Sequence, residues 1–233
     1  MNVLDLFSGI GGFSLGLERA GMRTVAFCEI EPYCRAVLAK HWPGVPCYDD
    51  VETLTADRLR ADGISVDVIC GGFPCQNISI AGKGEGIAGR RSGLWKEFAR
   101  IIGEVRPRYV IVENVAALLG RGLADVLGDL AALGYDAEWH CIPAFAVGAP
   151  HRRDRVWIVA YPAQQHVDGT RHTRSRWRYE LTNSDWWLIE PHVGRVAHGV
   201  PARVDRLKGL GNAVVPQIPE IVGRAIMSAE EKQ

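Results

Sequence analysis

No stretch of the chain reaches about 18 consecutive apolar residues, which excludes an ordinary membrane-spanning helix. The first twenty residues, MNVLDLFSGIGGFSLGLERA, lack the basic start and apolar run of a secretory leader. Cysteine is sparse. The six, at 28, 34, 47, 70, 75 and 141, contain no CxxC spacing, and no Cys and His cluster has the spacing of a zinc site. The expectation is therefore no metal, no membrane, and reduced thiols in a cytoplasmic location. There are no internal repeats and no low-complexity tract. Net charge is missing too: 27 basic and 27 acidic side chains cancel. At first sight that balance argues against a polyanionic partner, since proteins that bind nucleic acid usually carry a basic excess.

What is present is an ordinary globular composition over 233 residues, 47% apolar and 23% charged. That length fits one domain, or one plus a small insertion, with a core that needs no disulfide. The charge is unevenly spread. Residues 1–70 sum to −4, 71–149 to zero, 150–208 to +5 and 209–233 to −1. The basic block carries Arg152, Arg153, Arg155, Arg171, Arg174, Arg176, Arg178, Arg195, Arg203 and Arg206. Such a block marks either an interaction face or a solvated surface.

Short apolar runs alternate with helical patterns over the first 160 residues or so. Strands are expected at Asn2–Phe7, Thr24–Glu29, Val66–Gly71, Tyr109–Glu113, Ala137–Ile142 and Arg155–Tyr161. Several are continuous apolar runs, as parallel strands buried on both faces tend to be. Helices are expected at Gly12–Ala20, Pro32–His41, Gly93–Val105 and Leu123–Leu133, with a last one over 215–229. The alternation predicts an α/β domain with a mostly parallel sheet. Regularity fails between Pro162 and Pro191, a polar, basic stretch with Trp177, Trp186 and Trp187.

Five motifs stand at the ends of these elements. Asp5-Leu6-Phe7-Ser8-Gly9-Ile10-Gly11-Gly12 follows the first strand and opens a helix, so its backbone can approach a ligand. Glu29, at the end of the second strand, is placed for the two hydroxyls of a ribose at the switch point of the sheet. Gly71-Gly72-Phe73-Pro74-Cys75-Gln76 leaves a buried strand and presents a thiol amid glycine, proline and polar residues. A free cysteine is most often a small buried hydrophobe, and Cys28, Cys34, Cys47, Cys70 and Cys141 are read that way. Glu113-Asn114-Val115 ends another strand, where a buried carboxylate can hold a proton or form a structural ion pair. His151-Arg152-Arg153-Asp154-Arg155 enters a strand. Alternation would place Arg153 and Arg155 on one face as an anion clamp, or as ordinary charges at a strand entry. Gly211-Asn212-Ala213-Val214-Val215-Pro216 reads as a turn before a helix.

In this order the five motifs resemble those of the DNA cytosine-5 methyltransferase family. The resemblance covers nearly the whole chain outside 162–192. It departs from the family pattern at His151, where Gln is usual, and at Ser92, where Gly is common. The fold it implies is a Rossmann-like methyltransferase sheet, mostly parallel with helices on both faces, plus a short recognition insertion. Residues 1–161 would be the catalytic domain, 162–192 a target-recognition region too short for its own core, and 193–233 a segment returning to the catalytic domain.

The resemblance also implies a chemistry. S-adenosylmethionine would be the cofactor, with Phe7, Gly9, Gly11, Gly12, Glu29, Ile30, Asp50, Pro74, Leu94 and Asn212 around it. Cys75 would add to a cytosine flipped out of duplex DNA, Glu113 would protonate its ring nitrogen, and Arg153 and Arg155 would position the base and its phosphates. Arg171, Arg174, Arg176 and Arg178 would contact the DNA. The expected partners are double-stranded DNA and, at system level, a restriction endonuclease, with the chain itself a monomer. Two other readings stay open: a branch of the family that methylates transfer RNA, and a relative that binds nucleic acid without catalysis. Intact Cys75, Glu113 and donor-pocket residues argue against the second.

Overall fold

Among the described residues, seven strands make one sheet. They are β1 (Asn2–Leu6), β2 (Arg23–Cys28), β3 (Cys47–Tyr48), β4 (Val68–Gly71), β5 (Tyr109–Val115), β6 (Tyr135–Pro143) and β7 (Asp154–Pro162). Their order across the sheet is β3-β2-β1-β4-β5-β7-β6. The computed structural model describes residues 1–74, 93–163, 209 and 211–231. Cys75, Arg171, Arg174, Arg176 and Arg178, and all but the first two residues of the expected recognition region, lie outside the described residues.

The helices are α1 (Gly12–Arg19), α2 (Pro32–His41), α3 (Ala56–Ala61), α4 (Leu94–Val105), α5 (Leu118–Arg121), α6 (Leu123–Ala132) and α7 (Gln217–Glu230), with a 3-10 turn at Ala144–Val147. The fold class is the expected one, α/β with a mostly parallel sheet. β1 runs parallel to β2 and β4, β2 to β3, and β4 to β5, while β7 runs antiparallel to both β5 and β6. The apolar pattern of β7 carries no signal for this reversal, because period-2 alternation is the same in either direction.

Alternation along each strand builds two cores. Leu4, Leu6, Ile69, Val110, Val112, Val156 and Ile158 face one layer, where Trp95, Phe98, Ile101 and Ile102 of α4 and Val126 and Leu130 of α6 pack. Val3, Val68, Cys70, Ile111, Trp157 and Val159 face the other, against Phe13 and Leu17 of α1 and Ile218, Val222 and Ile226 of α7. Both faces of the central strands are thus covered, which is why they read as unbroken apolar runs.

Three short elements carry too few residues for a period to register: β3, α3 and α5. β1 ends one residue earlier than its apolar run, because Phe7 takes a left-handed φ of 54°. Cys141 corrects the reading of it as a small buried hydrophobe. It lies on β6, the outermost strand, which has a neighbour on one side only, and it is exposed along with Trp139 and His140. Cys28, Cys34 and Cys70 are buried and Cys47 half-buried. Among the described residues no helix is long and apolar enough to cross a membrane.

α7 returns from the far end of the chain to lie on α1. The two approach closely because Gly16 lacks a side chain: a Cβ there would sit 2.2 Å from the carbonyl oxygen of Pro216 and 2.7 Å from its neighbour Pro219. Gly16→Ala is expected to push these elements apart and cost about 1–3 kcal/mol, the usual range for overpacking a tight contact. The measurement is the urea midpoint, and an unchanged midpoint would show that α7 shifts freely.

Candidate active site

Because β1, β2, β3, β4 and β5 are parallel, their carboxyl ends share one edge of the sheet, where open α/β sheets bind ligands. The Phe7–Gly12 turn, Glu29 and Ile30, Asp50, and Gly72–Pro74 all follow strands at this edge. β7 starts there as well, so Arg155 enters the same region from the opposite direction.

The turn after β1 is tightly tied. Ser8 N–H donates to the Cys28 carbonyl at 3.2 Å, Ser8 Oγ donates to the Asp5 carbonyl at 2.6 Å, and Gly11 N–H closes onto the Ser8 carbonyl at 2.9 Å. Glu29, buried at the end of β2, accepts the Gly9 N–H at 2.7 Å on one carboxylate oxygen and the Glu31 N–H at 2.8 Å on the other. Each oxygen has a second lone pair, so the carboxylate that ties the turn can still accept two hydroxyls. Among the described residues the space at Gly9 is open: a Cβ built there meets none of their atoms within 4 Å. Beside it Ile30 is 69% exposed, a large apolar side chain with an uncovered face. An apolar wall, a carboxylate with spare lone pairs and an open backbone turn suit an adenosine with its ribose.

The other expected pocket residues divide. Phe7 is half-buried, its ring 6.2 Å from that of Phe98. Asp50, Pro74 and Leu94 are half-buried, and Asp50 accepts the Glu52 N–H at 2.8 Å. Asn212 is exposed. Gly11 and Gly12 face the protein's own interior instead of open space. A Cβ on Gly11, whose φ is 87°, would strike the Trp42 ring at 2.5 Å, and one on Gly12 would strike the Val214 carbonyl oxygen at 2.6 Å. These two glycines let α1 begin against α2 and the C-terminal segment, which the glycine-rich string alone does not reveal.

Glu113 occupies the other half of the edge. Its carboxylate is buried and paired with Arg155, Nε to Oε1 at 2.9 Å. Glu113 lies opposite Trp157 in the β5–β7 register, so Arg155 is its diagonal neighbour on the same face. Burial pushes the Glu113 carboxyl up from its ordinary range, and the nearby Arg155 and Arg153 charges pull it back in part. A group so placed can hold or release a proton under the control of its partner.

Two residues that sequence reasoning missed support it. A Cβ on Gly72 would lie 2.8 Å from Glu113 Oε2, so a side chain there would push this carboxylate aside. Asn114 Nδ2 donates to the Phe73 carbonyl at 3.0 Å while its Oδ1 accepts the Val115 N–H at 2.9 Å. Phe73 is itself buried, 5.3 Å ring to ring from Trp95. The backbone is thereby pinned two residues before Cys75. A polar residue inside an apolar strand run was the available signal for Asn114.

The arginine motif needs correction. β7 begins at Asp154, so Arg153 stands outside the strand, with a left-handed φ of 34°, and does not share a face with Arg155 by alternation. Its Nη1 donates to the Gly211 carbonyl at 2.7 Å and its Nη2 to the Ala213 carbonyl at 2.8 Å. The two arginines do not form an anion clamp: one serves a carboxylate and the other a backbone turn.

Asp5, beneath the glycine turn, is fully buried. Ser14 Oγ donates to its Oδ2 at 2.7 Å, while among the described residues Oδ1 meets no strong donor and the weakly donating Cys70 thiol lies against the carboxyl. Burial pushes its carboxyl up to about 7.

Comparison with known proteins gives one answer. A family model described as C-5 cytosine-specific DNA methylase matches residues 1–192. The Type II methyltransferase M2.BsuMI of Bacillus subtilis (strain 168) is 40% identical over 168 residues, 69% of this chain and 42% of the relative. The Type II methyltransferase M1.HphI of Haemophilus parahaemolyticus is 38% identical over 168 residues, 68% of this chain and 45% of the relative. Among solved structures, a prophage-encoded E. coli protein assigned as a DNA modification methyltransferase superposes with a TM-score of 0.60 at 29% identity, covering 70% of this chain and 47% of that one. The chain spans less than half the length of these relatives.

The Asp5 carboxyl generates a pH prediction. Its pKa is raised on folding, from the usual 3.8 to about 7, so the folded state holds a proton that the unfolded state has lost. The associated stability is present below the unfolded value and is lost as pH rises through about 7. Thermal unfolding between pH 4 and 8 should show a smaller loss of Tm with rising pH in Asp5→Asn than in the unaltered chain. Parallel curves for the two proteins would rule this out.

Proposed function

The chain belongs to the C-5 cytosine-specific DNA methylase family, and from that membership we propose that it is a DNA (cytosine-5-)-methyltransferase acting on a cytosine turned out of duplex DNA. The observation that carries the reading is the meeting, at one sheet edge, of the Glu113–Arg155 pair with the open pocket of Glu29, Ile30 and Gly9. Phe73, pinned at that same edge, precedes Cys75 by two residues in the sequence.

Each residue then has a task. Glu29 accepts the ribose hydroxyls of S-adenosylmethionine, Ile30 packs on its adenine, and Asp50 takes the adenine amino group. Phe7, Gly9, Pro74, Leu94 and Asn212 close the pocket. Bound there, S-adenosylmethionine supplies a methyl group already activated by a positive sulfur, so no metal is called for. The Cys75 thiolate adds to ring carbon 6 of the cytosine. The addition pushes electron density onto ring nitrogen 3, which takes the proton of the Glu113 carboxyl and leaves Glu113 as a carboxylate. Arg155 holds the Glu113 carboxyl toward the base and limits how far burial raises its pKa. Carbon 5, made nucleophilic, takes the methyl group as the donor sulfur leaves as a neutral thioether; water then takes the carbon 5 proton, the thiolate leaves carbon 6, and the proton on nitrogen 3 returns to Glu113. Arg171, Arg174, Arg176 and Arg178 neutralise phosphates of the bound duplex. The setting is cytoplasmic, with a restriction endonuclease as counterpart in the same system.

The test is transfer of labelled methyl groups from S-adenosylmethionine to duplex DNA and, in parallel, to transfer RNA. Incorporation at carbon 5 of cytosine in the duplex supports the reading; incorporation in transfer RNA alone overturns the substrate. Cys75→Ser is expected to abolish transfer while donor affinity stays unchanged, because the thiol touches only the base. Glu113→Gln, unable to deliver the proton, should lower kcat by about 10²–10⁴-fold, the usual worth of a general acid. Donor affinity lost in Cys75→Ser would contradict its assignment.

A further inference from the structure

Arg153 spends both terminal nitrogens on the turn before α7. The two carbonyls it binds, Gly211 at 2.7 Å and Ala213 at 2.8 Å, are those on either side of Asn212. The same turn is fixed from its other side. A Cβ on Gly209 would lie 3.3 Å from the Tyr33 ring and 3.4 Å from Ile10, and one on Gly12 would lie 2.6 Å from the Val214 carbonyl oxygen. The turn therefore crosses the glycine-rich loop of the donor pocket, with exposed Asn212 between its two anchorages. A planar guanidinium fits this arrangement because its two terminal N–H groups are held at a fixed separation, which a single ammonium cannot reproduce. The left-handed φ of 34° at Arg153 is consistent with a backbone bent to aim the side chain there.

We infer that Arg153 is a positioning residue of the methyl-donor pocket. It holds the backbone on both sides of Asn212 and so orients that amide toward the donor, instead of gripping the base or a phosphate. This rests on the proposed binding of S-adenosylmethionine at the glycine turn. Arg153 sits at the same time within the electrostatic reach of Glu113 and Arg155, so one guanidinium joins the donor half of the edge to the acid half. Carbonyl oxygens do not neutralise it, and its charge remains available to that pair.

The test measures S-adenosylmethionine affinity of the full chain by titration calorimetry without DNA, and duplex affinity separately. Arg153→Ala should weaken donor binding about tenfold, the scale of one well-placed polar contact, with duplex affinity kept within about twofold. Asn212→Ala should weaken it to a similar degree, and the double variant should be no weaker than either single one, since Arg153 acts through Asn212. Arg153→Lys, able to reach one carbonyl, should fall between. If Arg153→Ala does not fold, the Lys variant decides by the same two readouts. Donor affinity unchanged in these variants while duplex affinity falls would overturn the inference, as would additive losses in the double variant. A wild-type chain that binds no S-adenosylmethionine overturns the donor site itself along with it, whereas a wild-type chain that binds with Arg153→Ala equal to it overturns this inference alone.

Discussion

A carboxylate buried at the end of a strand costs several kcal/mol unless an opposite charge reaches it, and Glu113 imposes that requirement on everything around it. The charge comes from Arg155, which reaches Glu113 only as a diagonal neighbour on the adjacent strand. β7 must therefore lie beside β5 and begin at the edge where β5 ends, which makes it antiparallel. A side chain at Gly72 in the loop after β4 would push this carboxylate aside, and the loop is held by the amide of Asn114 immediately after the acid. The need to pair a single buried carboxylate thus links a strand direction, a glycine and an anchoring asparagine.

The donor half follows a different logic. Glu29 satisfies two backbone N–H groups of its surroundings and keeps lone pairs in reserve, so the acid that would receive a ribose also builds the turn that surrounds it. The glycines of that turn share the work unequally. Gly9 opens outward, whereas Gly11 and Gly12 admit Trp42 and the Val214 backbone. The 209–214 segment is consequently pressed against the start of α1 and gripped by Arg153.

Much of this was readable from the residues in order. The continuous apolar runs became strands covered on both faces, and the helical periods became α1, α2, α4, α6 and α7 to within a few residues. What failed did so for identifiable reasons. β3, α3 and α5 are shorter than any period that would announce them. The residue type of Cys141 predicts burial, but burial depends on sheet order and β6 lies at one end of the sheet. Alternation does not extend to Arg153, which lies one residue before the strand where it holds. The zero net charge sums an acidic first third with a basic block at 150–208, so the total hides the distribution.

The sequence by itself determined the chemical inventory: the glycine turn after an apolar run, Glu29 at a strand end, Cys75 in a Pro-Cys loop, Glu113 before Asn114, and the spaced arginines. These are local facts, carried by residue type and by periods of two and 3.6. Only the tertiary structure decided which of them serve each other. That Arg155 belongs to Glu113, that Arg153 belongs to the backbone around Asn212, and that Gly12 belongs to Val214 are contacts between segments 42, about 60 and about 200 residues apart. Such pairings depend on strand order, strand direction and the path of the returning helix, and none of these leaves a mark on the spacing of neighbouring residues.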